Sequence, residues 1–179
     1  MIKRLAELDY RHQTTITQRQ LNPLLDFRCL EECANRVFSG PPGVGKTHLA
    51  VGIGLKALEA GYPVLCPTAL TLVATLALAE RRGELKKKIA SLLTCDLLII
   101  DELGYLPMNR QGLDNLFPLS NGRYEYRSVI LTPHKDFTNW GEFFRDEHVV
   151  VPVVDRLIPH SQVFMLGGES SRLQQKIGN

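Results

Sequence analysis

The sequence has 179 residues, 44% of them hydrophobic and 22% charged, which is the composition of an ordinary folded domain and excludes a disordered, collagen-like or disulfide-scaffold chain. Its 21 basic and 19 acidic residues give a net charge of +2, too near zero for global charge to argue for a nucleic-acid partner. The longest mostly apolar stretch, residues 69–79, is shorter than the roughly 20 residues that cross a bilayer. The charged N-terminus also lacks the apolar segment of a secretory signal, so we expect a cytoplasmic protein without a membrane span.

The first predicted elements are a helix, a strand, a helix and a strand. Residues 21–35 have a helical rhythm of apolar positions that begins near Pro23, because proline is tolerated only in the first turn of a helix. Residues 37–38 form a brief apolar run typical of a strand. A helix then runs from Lys46 until Gly61 stops it, and residues 64–66 form a second short strand.

The second half of the chain continues this alternation. Thr68 is a typical N-cap residue for a helix that extends to about Arg82, and a basic helix follows over residues 84–93. Residues 97–100 are four consecutive aliphatic residues, the pattern of a strand buried on both faces of a parallel sheet. Two more strands, at residues 128–132 and 162–166, complete an α/β fold with a parallel sheet between layers of helices.

The four cysteines predict reduced thiols rather than a metal site. They are Cys29, Cys33, Cys66 and Cys95. Only the first two lie close together, and neither a second cysteine pair nor a histidine pair follows at the spacing of zinc ligands.

A glycine-rich motif lies between the first strand and the following helix. The segment GPPGVGKT, residues 40–47, matches the P-loop pattern G-x4-G-K-[ST] in the strand–loop–helix context that its mechanism requires. Its backbone N–H groups and the helix N-terminus can surround a polyphosphate, while the lysine reaches the β- and γ-phosphates and the threonine hydroxyl ligates Mg²⁺. We therefore predict a nucleotide site for ATP and Mg²⁺. Its candidate residues are Gly40, Pro41, Gly43, Val44, Gly45, Lys46, Thr47 and His48.

Two acidic residues follow the aliphatic strand of residues 97–100. Asp101, at the carboxyl end of that strand, can bind Mg²⁺ through the water shell of the ion, and Glu102 can polarise the attacking water. The alternative is a strand end finished by two solvated acids. The P-loop earlier in the chain favours the first interpretation, and an Asp-Glu pair favours hydrolysis.

Four segments carry a family resemblance: GPPGVGKTHLA, GLKALEAGYPV, CDLLIIDELGYLP and FTNWGEFFRDE. They closely resemble the IstB-like transposition helper ATPases of bacterial insertion sequences, which are related to the DnaC-type helicase loaders among AAA+ ATPases. The resemblance covers about residues 5–173, and DELGYLP and the FTNWGE run are its more specific parts. It implies a five-stranded P-loop fold, ATP-dependent self-assembly on double-stranded DNA, and delivery of target DNA to a transposase. It assigns the Walker A pair to Lys46 and Thr47 and the Walker B pair to Asp101 and Glu102.

Two further roles follow from the resemblance. Where the family usually has an asparagine sensor at the end of the fourth strand, this chain reads Thr132-Pro133-His134. His134 can still hydrogen-bond a γ-phosphate or the attacking water, whereas Pro133 lacks an N–H and is expected to alter the strand end. Arg156 matches the D-R-L run of the family and is the candidate for reaching the γ-phosphate on a neighbouring subunit, with a surface or tail-pairing arginine as the alternative.

The chain also departs from the family pattern. Pro118 and Gly122 are expected to interrupt a helix that is continuous in the family, and Pro152 falls inside another helical stretch. The family usually begins with an additional helical region that binds DNA or a partner, so the resemblance predicts that this N-terminal module is missing. We predict three segments: a helical arm at residues 1–35, a P-loop ATPase core at residues 36–167 and a tail at residues 168–179.

One dense basic run is a candidate DNA contact. Its cations can neutralise phosphates, but no aromatic residues are interleaved for base stacking. A solvated helix face is therefore the alternative. The cations of the run are Arg81, Arg82, Lys86, Lys87 and Lys88.

These features favour a DNA-associated ATPase that assists transposition, with a transposase as partner and a homo-oligomer formed on ATP. A helicase loader of replication is equally consistent with the Walker motifs, and DELGYLP and the FTNWGE run favour the first. A small-molecule kinase would need an arginine-rich lid, which the sequence does not show. A nucleotide-binding interaction module without hydrolysis is the remaining alternative, and only turnover separates it from the first.

Overall fold

The structure, a computed structural model, describes residues 27–104, 110–133 and 161–167. Over these residues it has the predicted alternation of helices and strands. The helices are α1 (Arg28–Glu31), α2 (Lys46–Glu59), α3 (Ala69–Arg81), α4 (Leu85–Leu92) and α5 (Arg110–Arg123). The strands are β1 (Asn35–Ser39), β2 (Val64–Leu65), β3 (Leu97–Leu103), β4 (Ser128–Pro133) and β5 (Ser161–Met165).

The described strands form one sheet in the order β2-β3-β4-β1-β5, and all of its strand pairs are parallel. A parallel connection needs a crossover, and the crossover helices cover the faces of the sheet. The order also places β1, which leads into the P-loop, beside β4, and β4 beside β3. The carboxyl ends of these three strands therefore meet at one edge of the sheet.

The sheet separates two hydrophobic cores, which confirms the predicted three-layer α/β/α fold. Side chains of β3 alternate between them, with Leu98 and Ile100 in one core and Leu97 and Ile99 in the other. Helices α3, α4 and α5 cover the first core, which includes Leu72, Leu76, Leu92, Leu119 and Leu131. Helix α2 covers the second core, which includes Phe38, Leu49, Ala50, Ile53 and Ile130.

The predicted cap and basic helix are confirmed. Thr68 is the N-cap residue of α3, and its Oγ1 accepts a hydrogen bond from the N–H of Thr71 at 3.1 Å. This bond satisfies one of the N–H groups that have no partner within the first turn of a helix. Helix α4 then lies within the predicted basic segment, flanked by Glu84 and Leu93.

The helix predicted over residues 21–35 is shorter in the part that the structure describes. Helix α1 ends at Glu31, Cys33 has a φ of 52°, and Asn35 already belongs to β1. The pairing of β1 with its neighbours competes with the local helical rhythm, and the side-chain Oδ1 of Asn35 accepts a hydrogen bond from the N–H of Val129 at 2.8 Å. The prediction was wrong at this end because sheet pairing was invisible in the local pattern.

The predicted interruption at Pro118 and Gly122 is also wrong, because α5 runs through both residues. Pro118 has no N–H to donate to the carbonyl of Asp114, one turn earlier in the helix. Both residues are exposed, so water can hydrogen-bond to this carbonyl instead. Gly122 lies where a Cβ would come within 2.9 Å of Leu93 Cδ1. The glycine therefore lets α5 approach the end of α4 closely.

Arg123, the last residue of α5, is 1% exposed and links the helix to the N-terminal ends of β3 and β4. Its Nη1 donates to the carbonyls of Leu92 and Cys95, and its Nη2 donates to those of Asp96 and Ser128. Burial lowers the pKa of the guanidinium. Because carbonyl oxygens surround the cation, it orients α4, α5, β3 and β4 together at the edge opposite the P-loop.

Two sequence predictions concern the absence of a membrane span and the boundaries of the domain. In the described part of the chain, no helix is long and apolar enough to cross a membrane. Phe27 and Leu30, from the predicted arm, pack against the core beneath α2. The boundaries at residues 35 and 167 stay predictions.

Candidate nucleotide-binding site

The P-loop begins where β1 ends and leads into α2. Its first residue, Gly40, has a φ of 145°, and a Cβ there would lie 2.1 Å from the carbonyl oxygen of Leu166. The N–H of Leu166, just after β5, donates to the carbonyl of Ser39 at 2.7 Å. Only glycine fits at this position, because of both its backbone conformation and the close passage of the chain after β5.

Helix α2 begins at the loop without a side-chain cap. Its N-cap residue is Gly45, with a φ of 90°. The first N–H groups of a helix carry a partial positive charge and point out of its N-terminus, which is the usual way that helices bind phosphate. Gly43, Val44 and His48 of the predicted set lie in or next to this turn.

Lys46 extends back along the loop. Its Nζ donates to the carbonyl oxygen of Gly40 and, at 2.8 Å, to that of Pro41. The half-buried side chain thus holds its positive charge against the segment that would surround the phosphates. This position fits the role predicted for the P-loop lysine.

Thr47 and Asp101 connect the P-loop to the carboxyl end of β3. The hydroxyl of Thr47 donates to Oδ1 of Asp101 at 2.8 Å. Thr47 is exposed, whereas Asp101 is 8% exposed. The structure therefore brings together the two predicted metal residues, although they are 54 positions apart in the sequence.

Glu102 lies at an irregularity in β3. Its φ is 57°, and the register of β3 with β4 shifts between Ile100 and Leu103, so that Leu103 is opposite Pro133. The N–H of Glu102 donates to Oγ1 of Thr132 at 3.1 Å. Glu102 is exposed beside the buried Asp101, an arrangement in which one acid can serve a metal and the next can face water.

Thr132 is a residue of this site that the sequence did not predict. It lies at the end of β4, is 2% exposed and donates its hydroxyl proton to Oδ1 of Asp101. In the Thr132-Pro133-His134 run, the sequence predicted a role at the site for His134 alone. A hydroxyl at the carboxyl end of another parallel strand was the available signal, but without the strand order nothing placed it next to Asp101.

The other predicted site residues fall into two groups. His134 and Arg156 lie outside the described residues.

Helix α3 ends at Arg81, and the remaining four cations of the basic run lie just after it or in α4. Lys88 is half-exposed and the other four cations are exposed, and among the residues that the structure describes none of the five has an ion-pair partner. Their binding to DNA stays a prediction.

Cys66 is a second neighbour of Asp101 that the sequence did not reveal. It follows β2, and the N–H of Asp101 donates to the carbonyl of the next residue, Pro67, at 3.0 Å. Partial burial of the thiol and, to a smaller extent, the negative charge of Asp101 raise its pKa from 9.0 to about 11. The residue is exposed, so reagents can reach it although its thiolate is scarce.

We expect Cys66 to alkylate slowly at pH 8. Its thiolate fraction is about 100-fold below that of an ordinary thiol, and the greater nucleophilicity of the more basic thiolate recovers roughly a factor of ten. The rate should therefore be about 10-fold below that of a free thiol such as glutathione, and it should still rise steeply between pH 9 and 10. Iodoacetamide labelling followed by peptide mass spectrometry measures this rate at Cys66. A rate that has levelled off by pH 9 would contradict the raised pKa.

The residues present fit a magnesium nucleotide. The P-loop and the start of α2 offer N–H groups and one ammonium group for phosphate oxygens. Thr47 and Asp101 offer hydroxyl and carboxylate oxygens, which are the ligands that Mg²⁺ prefers. Fold and site together define a P-loop nucleotide-binding protein with a fold of the AAA+ type.

The chain belongs to the IstB-like ATP-binding protein family, whose model matches residues 1–178. It is 41% identical over 175 residues to the IS21 insertion-sequence ATP-binding protein of Pseudomonas aeruginosa, covering 98% of this chain and 66% of that protein. It is 39% identical over 174 residues to the IS5376 insertion-sequence ATP-binding protein of Geobacillus stearothermophilus, covering 97% of this chain and 69% of that protein. The chain thus spans about two thirds of the length of these relatives.

Solved structures support the fold. The replication initiator DnaA bound to AMPPCP and single-stranded DNA matches with a TM-score of 0.68 and 18% identity, over 96% of this chain and 56% of that chain. The DnaC helicase loader matches with a TM-score of 0.64 and 21% identity, over 86% of this chain and 93% of that chain. At these identities the likeness shows a shared fold and nothing finer.

Proposed function

We propose that this chain binds Mg²⁺ and ATP, hydrolyses the ATP and assists a transposase in bacterial DNA transposition. The hydrogen bond between Thr47 and Asp101 carries the proposal, because it joins the P-loop to the metal-binding strand with Glu102 as the next residue. The names of the family relatives, insertion-sequence ATP-binding proteins, support the link to transposition. Since its partners would be DNA and a transposase, we place the protein in the cytoplasm.

The chain's own residues would divide the work of hydrolysis. Lys46 would exchange the carbonyls of Gly40 and Pro41 for phosphate oxygens and so neutralise charge that develops during cleavage. Thr47 and Asp101 would hold the magnesium ion, which supplies further neutralisation of the phosphates when it is bound. Glu102 would orient the attacking water and accept its proton.

Two proposed contributors lie outside the described residues. His134 would contact the γ-phosphate or the water in place of the usual asparagine sensor. Arg156 would reach the γ-phosphate on a neighbouring subunit, which requires a homo-oligomer formed on ATP.

We further propose that the basic run contacts the phosphates of double-stranded DNA. Its five cations lie at the end of α3 and along α4, where they are exposed or half-exposed. Phosphate contacts position a protein on DNA without reading its sequence. Assembly on ATP would bring several copies of the run to one duplex, so that individually weak contacts add through effective concentration.

Changing Lys86, Lys87 and Lys88 together to alanine tests this proposal. Because each phosphate contact contributes about 0.9 to the slope of log K against log salt, we expect the slope to flatten by up to about 3 for each subunit bound to the duplex. Affinity should fall by a similar factor for unrelated duplexes, while ATP binding stays intact. Fluorescence anisotropy at several salt concentrations, with ATP present, measures both quantities.

Two matched variants serve as controls. The triple change of the same lysines to arginine keeps the charge and should keep the slope. Lys56→Ala removes an exposed lysine of α2 that pairs with Glu59, and it should leave DNA affinity unchanged. Wild-type affinity and slope in the triple alanine variant would show that the run is a solvated helix face.

A further inference from the structure

The hydroxyl of Thr132 forms hydrogen bonds with two groups of the candidate site. Its Oγ1 is within hydrogen-bond distance of the N–H of Glu102, at 3.1 Å, and of Oδ1 of Asp101. A backbone N–H can only donate, so Oγ1 accepts that bond and its own proton is left for the carboxylate. The direction of both hydrogen bonds is therefore fixed by chemistry.

The bond to Glu102 stabilises an unusual backbone conformation. A φ of 57° is uncommon for a residue with a side chain, and such conformations persist only where the surrounding structure over-determines them. The register shift between Ile100 and Leu103 disturbs the regular ladder around Glu102. The Thr132 hydroxyl provides the N–H of Glu102 with a buried partner at this point.

The bond to Asp101 orders the metal-binding carboxylate. Oδ1 of Asp101 accepts two hydrogen bonds, one from the hydroxyl of Thr47 and one from the hydroxyl of Thr132. If Thr47 were to bind a metal, Thr132 would remain as a hydrogen-bond donor from the neighbouring strand. Thr132 is only 2% exposed, so water does not readily replace its hydroxyl.

We propose that Thr132 is a positioning residue that couples the metal-binding carboxylate of Asp101 to the backbone of Glu102. It acts through these two residues and does not itself contact the nucleotide. The proposal rests on the proposed function, since it concerns the Mg²⁺ that Asp101 would help to bind. Loss of the hydroxyl should therefore increase the mobility of the Asp101 carboxylate and of the Glu102 backbone at the same time.

The test compares Thr132→Val, which keeps the shape of the side chain, with Thr132→Ser, which keeps the hydroxyl. Isothermal titration calorimetry with ATP, in excess Mg²⁺ and in EDTA, gives the factor by which Mg²⁺ raises ATP affinity. For the valine variant we expect this factor and kcat each to fall about 10-fold, the effect of losing a hydrogen bond to a charged group. ATP affinity in EDTA should change little, KM in excess Mg²⁺ should rise by about the same factor by which the Mg²⁺ effect falls, and serine should restore both lost quantities.

A second buried hydroxyl gives the control. Ser120, on α5, is 4% exposed and donates to the carbonyl of Phe117 at 2.9 Å, away from the nucleotide site. Ser120→Ala should lower the melting temperature without changing the Mg²⁺ effect or kcat. If the valine variant does not fold, Thr132→Ala and Thr132→Ser make the same comparison, because they differ only by the oxygen atom.

The outcomes separate this inference from the proposed function. Wild-type protein that does not bind ATP at all would overturn the proposed function. Wild-type protein that binds ATP with a Mg²⁺ effect, and a valine variant that keeps this effect, would overturn only the role of Thr132. A serine variant as impaired as the valine variant would show that side-chain volume matters and the hydroxyl does not.

Discussion

Replacing Lys46 by alanine is expected to weaken ATP binding by about 100-fold or more. The ammonium group lies on the P-loop, and each charge-assisted hydrogen bond that it would form to a phosphate oxygen contributes about 1.5–3 kcal/mol. Backbone N–H groups carry only partial charge and cannot replace it. Calorimetric titration with ATP in the presence of Mg²⁺ measures the loss.

The same helix offers the control for this variant. Lys56 is also on α2, is exposed and pairs with Glu59, so Lys56→Ala removes an equal charge without touching the loop. Its ATP affinity should match that of the wild type. An unchanged affinity in Lys46→Ala would contradict the assignment of the loop as the ATP site.

Glu102→Gln is expected to separate hydrolysis from binding. Glutamine keeps the shape and the backbone requirements of the residue but cannot accept the proton of the attacking water. ATP should still bind, while kcat should fall by about 10²–10⁴-fold, the range for a lost general base. Phosphate release under saturating ATP gives kcat, and calorimetry gives the affinity.

Glu125→Gln is the matched control, because Glu125 is also an exposed glutamate with a positive φ, of 62°. Its turnover should equal that of the wild type. A Glu102→Gln variant with wild-type kcat would exclude Glu102 as the base. If the wild type shows no turnover even with DNA present, the interpretation as a nucleotide-binding module without hydrolysis replaces the proposed one, and His134→Asn becomes the next variant to examine.

The local signals in the sequence predicted most of the elements correctly. The Thr68 cap, the aliphatic run at residues 97–100 and the glycine-rich loop each depend on neighbours a few positions away, so they can be read along the chain. The wrong prediction at Pro118 arose because local patterns do not show which parts of a helix are exposed to water. Pro118 was expected to break a helix, but its cost depends on whether water reaches the carbonyl left without a partner, and the exposed face of α5 settles that.

The sequence by itself determined the class of site: a P-loop, an acidic pair after a buried strand, and the order in which they occur. It did not determine which strands are neighbours, because parallel strands pair across long stretches of chain. Only the order β3-β4-β1 brings the hydroxyl of Thr132 to Asp101 and Glu102, and only the neighbouring β2 brings Cys66 close to Asp101. Hydrogen bonds and charges act over a few ångströms in space, whereas these partners are about 30 or more positions apart in the chain, so the tertiary structure alone decided what surrounds the two acids.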